Sequence, residues 1–116
     1  MDKSQKDAII VLPDGITQEM IDAAKLKFKG VTLAQLPKDD DMTEYLTVLV
    51  RQPDRSVMSE FSKWSDKNPG KADDILVKSC LLSHKEVVIA DDGLFAGCVD
   101  AIAQLISIRK AILKKI

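Results

Sequence analysis

The sequence contains few of the residue types on which catalysis and metal binding depend. Histidine occurs once and cysteine twice in 116 residues. A closed structural zinc site takes four ligands, so His84, Cys80 and Cys98 are too few to complete one. The five glycines stand singly, and the sequence has no glycine-rich phosphate-binding motif and no Gly-x-Ser-x-Gly motif. These absences predict a protein that is not an enzyme and uses no cofactor and no metal.

Two short acidic runs, Asp39-Asp40-Asp41 and Asp91-Asp92, suggest a site for calcium or magnesium. A calcium loop needs alternating oxygen ligands, a glycine at its turn and a terminal glutamate. Neither run has that arrangement. We therefore interpret the first as the solvated tip of a hairpin and the second as a helix cap.

Charge of one sign and aromatic residues are also scarce. The chain has 17 basic and 18 acidic residues, a net charge of −1, and only 4% aromatic residues. Nucleic-acid binding requires a one-sided positive field, and binding of single strands requires several exposed aromatic rings. The composition therefore predicts that this protein does not bind nucleic acid.

Long apolar runs are missing as well. The polar start of the chain is followed by five apolar residues, 8–12, which is too short for a signal peptide or a membrane span. The two cysteines lie in apolar stretches and are expected to be reduced, buried thiols. We therefore expect a cytoplasmic protein that does not enter a membrane.

The first half of the chain predicts one helix and a hairpin. Residues 8–12 read as a short strand, closed by the turn Pro13-Asp14-Gly15. Thr17 is placed to cap a helix that ends at residue 30. Residues 31–36 and 44–51 are rich in strand-forming residues and flank a charged loop, so we expect them to pair antiparallel.

The second half predicts helices. One begins after residue 54, and Asn68-Pro69 starts another that runs to about residue 82. Residues 87–89 read as an extended link, and Asp91-Asp92 caps a last helix that runs to the C-terminus. The sequence thus predicts one α+β domain over residues 1–116. It combines a small antiparallel β-hairpin with about four helices, of which the C-terminal one is long and amphipathic.

The apolar stripe of this last helix covers about half of the helical wheel, wider than the ~100° minimum of a surface helix. Its first half, up to residue 106, is expected to pack on the helices that begin after residues 54 and 68. Beyond that point the apolar spacing continues past the edge of a domain this small, which indicates a partner or a second copy. The predicted protein-binding residues are Ile108, Arg109, Ile112, Leu113 and Ile116.

Two alternatives stay open for these residues. The Arg109 stem could pack within the domain while its head group reaches solvent, instead of pairing with an acidic partner residue. The apolar segment 8–12 could also fold back and cover residues 112, 113 and 116.

Several helix starts and apolar positions occur in a characteristic order between about residues 44 and 116. They are Val50-Arg51-Gln52-Pro53, Met58, Phe61, Asn68-Pro69-Gly70-Lys71-Ala72, Ile75-Leu76-Val77-Lys78-Ser79-Cys80, Asp91-Asp92-Gly93-Leu94-Phe95, Leu105-Ile106 and Arg109-Lys110. This order resembles small tail assembly chaperone-like proteins of tailed phages and prophages.

The resemblance implies a function in the cytoplasm of a bacterial host. Such chaperones bind the long, hydrophobic, helical tape measure protein before tail tube subunits polymerise around it. The apolar face of the last helix would then cover the apolar stripe of that client. Two alternatives are a structural tail or adaptor subunit, which would form stable rings, and a small regulatory adaptor that binds proteins.

Overall fold

A two-stranded hairpin and five helices make up the part of the chain described by the computed structural model, residues 12–106 and 111–116. In chain order the elements are α1 (Gln18–Lys27), β1 (Thr32–Pro37), β2 (Tyr45–Val50), α2 (Arg55–Trp64), α3 (Pro69–Cys80), α4 (Lys85–Ala90) and α5 (Asp92–Gln104). The predicted α+β class is confirmed.

The start of the described chain forms the predicted turn and helix cap. The Ile16 N–H donates to the Pro13 carbonyl (3.2 Å), and Gly15 takes a φ of +84°. The Thr17 hydroxyl then accepts from the Met20 N–H (3.2 Å) at the start of α1. Ile16 is buried in a small apolar cluster that α1 forms against Leu49. Residues 8–11 of the predicted first strand lie outside the described residues.

The hairpin pairs antiparallel, as predicted, from Thr32↔Val50 to Pro37↔Tyr45. Alternate residues face one side of a sheet, and the inner side carries Leu36, Val48 and Val50, all fully buried in the main core. On the outer side, Leu49 alone is fully covered, by the α1 cluster. The hairpin is therefore packed along one whole face and along only part of the other.

Helices α2 and α3 begin where the sequence predicts. The Asp54 carboxylate accepts from the Val57 N–H (2.9 Å), and the Asn68 side chain accepts from the Lys71 N–H (3.2 Å) with Pro69 in the first turn. Four buried residues lie on α3: Ala72, Leu76, Val77 and Cys80. Since α2 packs on one side of α3 and α5 on another, α3 is covered from two directions.

The extended link predicted at residues 87–89 is wrong, because these residues belong to helix α4. Their β-branched side chains favour a strand locally, but Val88 is fully buried whereas Val87 and Ile89 are 51% and 45% exposed. The short helix α4, six residues long, buries this one side chain against the main core. Tertiary packing therefore overrides the local preference.

The last helix is present as α5, the longest of the described helices, but it ends at Gln104 rather than running to the C-terminus. The Leu105 and Ile106 N–H groups bond to carbonyls three residues back, which tightens the final turn. Residues 111–116 have no regular secondary structure. Helical periodicity alone does not hold a helix in water without tertiary packing, and α5 stops where its buried stripe, Leu94, Cys98 and Ile102, stops.

The packing of α5 also differs in part from the prediction. It contacts α3, as expected, but its other main neighbours are β1 and α4 rather than α2. The close approach to the hairpin occurs at Gly97, where an added Cβ would lie 3.7 Å from Pro37 and 3.9 Å from Leu36. Helix α5 therefore lies beside β1, and the space between them becomes available as a groove.

Replacing Gly15 with alanine should destabilise the fold by at least about 1 kcal/mol, because a positive φ is unfavourable for a residue with a Cβ. The new Cβ would also come within 2.7 Å of His84 Nε2. The matched control is Gly97→Ala in α5, whose Cβ would meet Leu36 and Pro37 of β1 only at ordinary van der Waals distances. Thermal unfolding should show a clear fall in Tm for Gly15→Ala alone; equal Tm values for the two variants would contradict this account.

Candidate protein-binding surface

The C-terminal residues predicted to bind a partner are exposed where the structure describes them. Ile112 is 86% and Leu113 94% exposed, and Ile116 is fully exposed. They lie on a segment without helical structure, residues 111–116, which we call the C-terminal segment. Ile108 and Arg109 lie outside the described residues. No described residue buries these three apolar side chains.

A groove of about 410 Å³ runs between β1 and α5. The hairpin lines it with Leu33, Gln35, Met42 and Tyr45, among others, and α5 supplies Ala101 and Leu105 with their neighbours. We call this the β1–α5 groove. Leu33, Met42 and Tyr45 are 38%, 56% and 43% exposed. Three large apolar side chains thus surround a groove whose floor is also largely apolar.

Sequence reasoning missed the β1–α5 groove. Leu33 and Tyr45 lie on strands with apolar residues on both faces, so the sequence does not show which face stays uncovered. Met42 lies in the charged hairpin loop, where its φ of +58° is unusual for a residue with a side chain. Met42, an apolar residue in a loop with four acidic residues, was the one local feature of the sequence that pointed to this surface.

The surroundings of the groove are acidic. The hairpin loop that supplies Met42, residues 38–44, carries Asp39, Asp40, Asp41 and Glu44 against one lysine. Asp39 accepts hydrogen bonds from the Thr43 hydroxyl and N–H, which hold the pKa of its carboxyl below the ordinary value. On the opposite wall, Asp100 accepts from the Gln104 side chain (2.8 Å). The groove therefore favours an apolar ligand that also carries positive charge.

A buried arginine was also missed by sequence reasoning, which singled out Arg109 instead. Arg51 is only 7% exposed. Its Nε donates to the Ser79 carbonyl (3.0 Å), its Nη1 donates to Asp54 Oδ2 (3.2 Å), and its guanidinium lies 4.3 Å from the centre of the Phe28 ring. The guanidinium thus joins the ends of α1 and α3 to the start of α2. These contacts make Arg51 a structural residue, since little of it is left to meet a ligand.

The charge of Asp54 depends on the same junction. The hydrogen bond from the Val57 N–H holds the pKa of Asp54 below its ordinary value, against an opposing effect of desolvation, and Arg51 lowers it further. An anion at a helix N-terminus is stabilised by the helix dipole. Asp54 therefore caps α2 best when it is ionised.

Both ring nitrogens of His84 are used within the protein. Ser83 Oγ accepts from the Leu49 N–H (2.8 Å) and lies 2.8 Å from His84 Nδ1, while Nε2 lies 3.0 Å from the Asp14 carbonyl. A carbonyl oxygen only accepts, so Nε2 carries a proton and donates it to the Asp14 carbonyl. His84 and Ser83 therefore link the turn before α1 to β2 by hydrogen bonds, and both ring nitrogens of His84 already have protein partners.

The two cysteines are free, fully buried thiols. Burial raises the pKa of Cys80 and of Cys98 to about 11, so both are protonated near neutral pH. A protonated thiol is neither a good nucleophile nor a metal ligand. In the described ranges, no group of three histidine, cysteine or acidic side chains is placed to hold a metal ion.

A larger open cavity, about 800 Å³, lies between α3 and α5. Its lining includes Lys71, Asp74, Ile75, Lys78 and Phe95. The lysines and the aspartate leave no single sign of charge, and Lys71 Nζ lies over the Trp64 ring (3.7 Å). Ser79 also lines it, and no hydrogen bond joins its side chain to that of Asp74.

Comparison with protein families, characterised proteins and solved structures finds no match to this chain. Across residues 12–106 and 111–116, no helix has both the length and the apolar character needed to cross a membrane.

Replacing Asp54 with asparagine should leave the cap hydrogen bond but remove the charge, at a cost of about 0.5 kcal/mol near neutral pH. Because the folded-state pKa is lowered, the charge stabilises the fold above the unfolded pKa, about 3.9, and this contribution is lost as pH falls through the folded pKa. The Tm difference from wild type should therefore shrink below about pH 4. Asp40→Asn, in the exposed hairpin loop, is the control; a difference that stays constant with pH would refute this role.

Thermal stability should not change when a chelator or a reductant is added. The cysteines are buried free thiols and both His84 nitrogens have protein partners. Losing a structural zinc or a disulfide typically costs several kcal/mol. A Tm that falls by several degrees with either reagent would show that folding depends on a metal or a disulfide.

Proposed function

We propose that this chain is a non-enzymatic protein-binding protein that holds an apolar client, as a tail assembly chaperone of a phage or prophage holds the tape measure protein. The proposal combines the order of helix starts and apolar residues between residues 44 and 116 with the exposed apolar side chains of the C-terminal segment. It places the protein in the cytoplasm of a bacterial host.

The exposure of Ile112, Leu113 and Ile116 is the observation that carries the proposal. Single exposed apolar residues are normal on a protein surface, but three within five positions are a concentrated apolar site. Leu26, 89% exposed on α1, is an ordinary isolated example for comparison. The C-terminal segment is therefore the surface that gains most from being covered by a client.

The mechanism differs from a preformed helical stripe, because residues 111–116 are not helical. When such a segment takes up a new conformation on binding, part of the free energy gained from burial is spent on that ordering. Covering one leucine or isoleucine contributes roughly 1.5–3 kcal/mol. Three such side chains give a contact strong enough to shield a client and weak enough to be displaced during assembly.

Replacing Ile112 and Leu113 with serine should abolish client binding without destabilising the protein, because both side chains are almost fully exposed. The assay is co-expression with the long helical protein encoded by a neighbouring gene, followed by recovery of the soluble pair. Leu26→Ser removes an equally exposed apolar side chain elsewhere and should leave recovery unchanged.

Two results would contradict the proposal. Client solubility could be the same with and without this protein, which would rule out the chaperone function. Alternatively, the double variant could lose about 2–5 kcal/mol of stability, which is the scale of core substitutions and would place residues 112 and 113 in the core.

A further inference from the structure

The backbone of β1 has a second edge that faces the β1–α5 groove. In β2, the Arg51 N–H bonds to the Cys80 carbonyl and the Leu49 N–H bonds to Ser83 Oγ, so odd-numbered residues here direct their backbone groups away from β1. Leu33 pairs with Leu49 and Gln35 with Thr47. In an antiparallel ladder such partners point their backbone groups outward on both strands. Leu33 and Gln35 therefore present their N–H and C=O groups on the outer edge of β1.

This outer edge is unpaired as far as the described chain goes. The sheet has two strands, and the one additional bridge, Val50↔Leu81, lies on the β2 side. Exposed strand edges readily pair with another extended segment. An edge that borders an apolar groove beside a helix is the arrangement in which domains bind an extended peptide by strand addition.

We propose that the β1–α5 groove binds the C-terminal segment of a second copy of this chain, as an added strand on β1. The inference goes beyond client binding and does not depend on it. The C-terminal segment reads Ala111-Ile112-Leu113-Lys114-Lys115-Ile116; it has no regular secondary structure and is exposed in the single chain. It therefore does not occupy its own groove.

The chemistry of the segment complements that of the groove. In a strand, Ile112, Lys114 and Ile116 would share one face, with Leu113 and Lys115 on the other. One face of the added strand would contact Ala101 and Leu105 on α5, and the other would contact Leu33 and Tyr45 on the hairpin. Each face carries at least one apolar side chain and one lysine. The lysines meet Asp100 on one wall and the acidic hairpin loop on the other.

The contact is heterologous, because a segment on one copy meets a groove on the next. Repeated contacts of this kind produce rings or open chains rather than a symmetric dimer. Each copy keeps one free segment and one free groove until the assembly closes. This property provides a test in which two variants, each defective in one half of the contact, are mixed.

The first variant is Gln35→Pro, which removes the outward N–H of β1 and leaves its ladder with β2 intact, because proline is accepted where the N–H faces away from the partner strand. The second is the double variant I112S/L113S. Sedimentation equilibrium should show self-association of the wild type, weakened about tenfold or more in the first variant and more than about a hundredfold in the second. Leu26→Ser, which removes an exposed apolar side chain from α1, is the matched control and should associate as the wild type does.

Mixing the two defective variants gives the decisive result. The first keeps its segment and the second keeps its groove, so the mixture should form a complex of two chains and no larger species. Hydrogen exchange should show the Leu33 and Gln35 amides unprotected in the dilute monomer and protected in the complex, which tests the site even where Gln35→Pro fails to fold.

Three outcomes would overturn the proposal. The wild type could remain monomeric at every concentration. Association could persist undiminished in I112S/L113S, which would place the contact elsewhere. The two amides could already be protected in the dilute monomer, which would show that another part of the same chain occupies the edge. None of these measurements includes a client. A negative result would therefore contradict the self-association proposal without contradicting the chaperone proposal.

Discussion

Strand β2 is hydrogen-bonded along both of its edges, and the positions of the other elements depend on this. On one side it pairs with β1. On the other, Leu49 and Arg51 exchange backbone hydrogen bonds with residues 80 and 82 at the end of α3, and Val50 bridges Leu81. Because the chain after α3 pairs with β2 rather than with β1, no residue in 12–106 or 111–116 pairs with the outer edge of β1.

Buried polar groups reinforce this junction. Arg51 follows β2 directly and links it to the carbonyl end of α3, to the cap of α2 and to the Phe28 ring after α1. Ser83 and His84 connect β2 to the turn before α1. A buried polar group without a partner costs free energy, so each of these side chains constrains its neighbours. These polar side chains thus connect β2 to the elements around it.

Two of the described surfaces carry exposed apolar side chains beside charged ones. The β1–α5 groove is lined by uncovered apolar side chains beside acidic ones, and the C-terminal segment carries apolar side chains beside lysines. We propose that both surfaces bind other protein segments. Client holding and self-association would use the same segment, so one would compete with the other.

Local signals in the sequence determined the α+β class, the hairpin and the helix starts. Thr17, Asp54, Asn68 and Asp91 each accept a hydrogen bond from a backbone N–H within three residues, so these caps depend only on neighbours in the chain. The exposed residues 112, 113 and 116 were also found from sequence, although as part of a helix. The C-terminal end of that helix was not predictable from the sequence. The helical spacing of apolar residues continues beyond the surface against which α5 packs.

Only the tertiary structure decided the remaining features, since they depend on residues distant in sequence. Val88 forms part of a helix because the core buries it, despite its preference for a strand. Arg51 is buried by contacts 23 to 28 positions away, at Phe28 and Ser79, which no periodicity reveals. The β1–α5 groove exists because α5, which begins 55 positions after β1 ends, lies beside β1. Its lining is therefore set by the approach of two elements and by no motif in either.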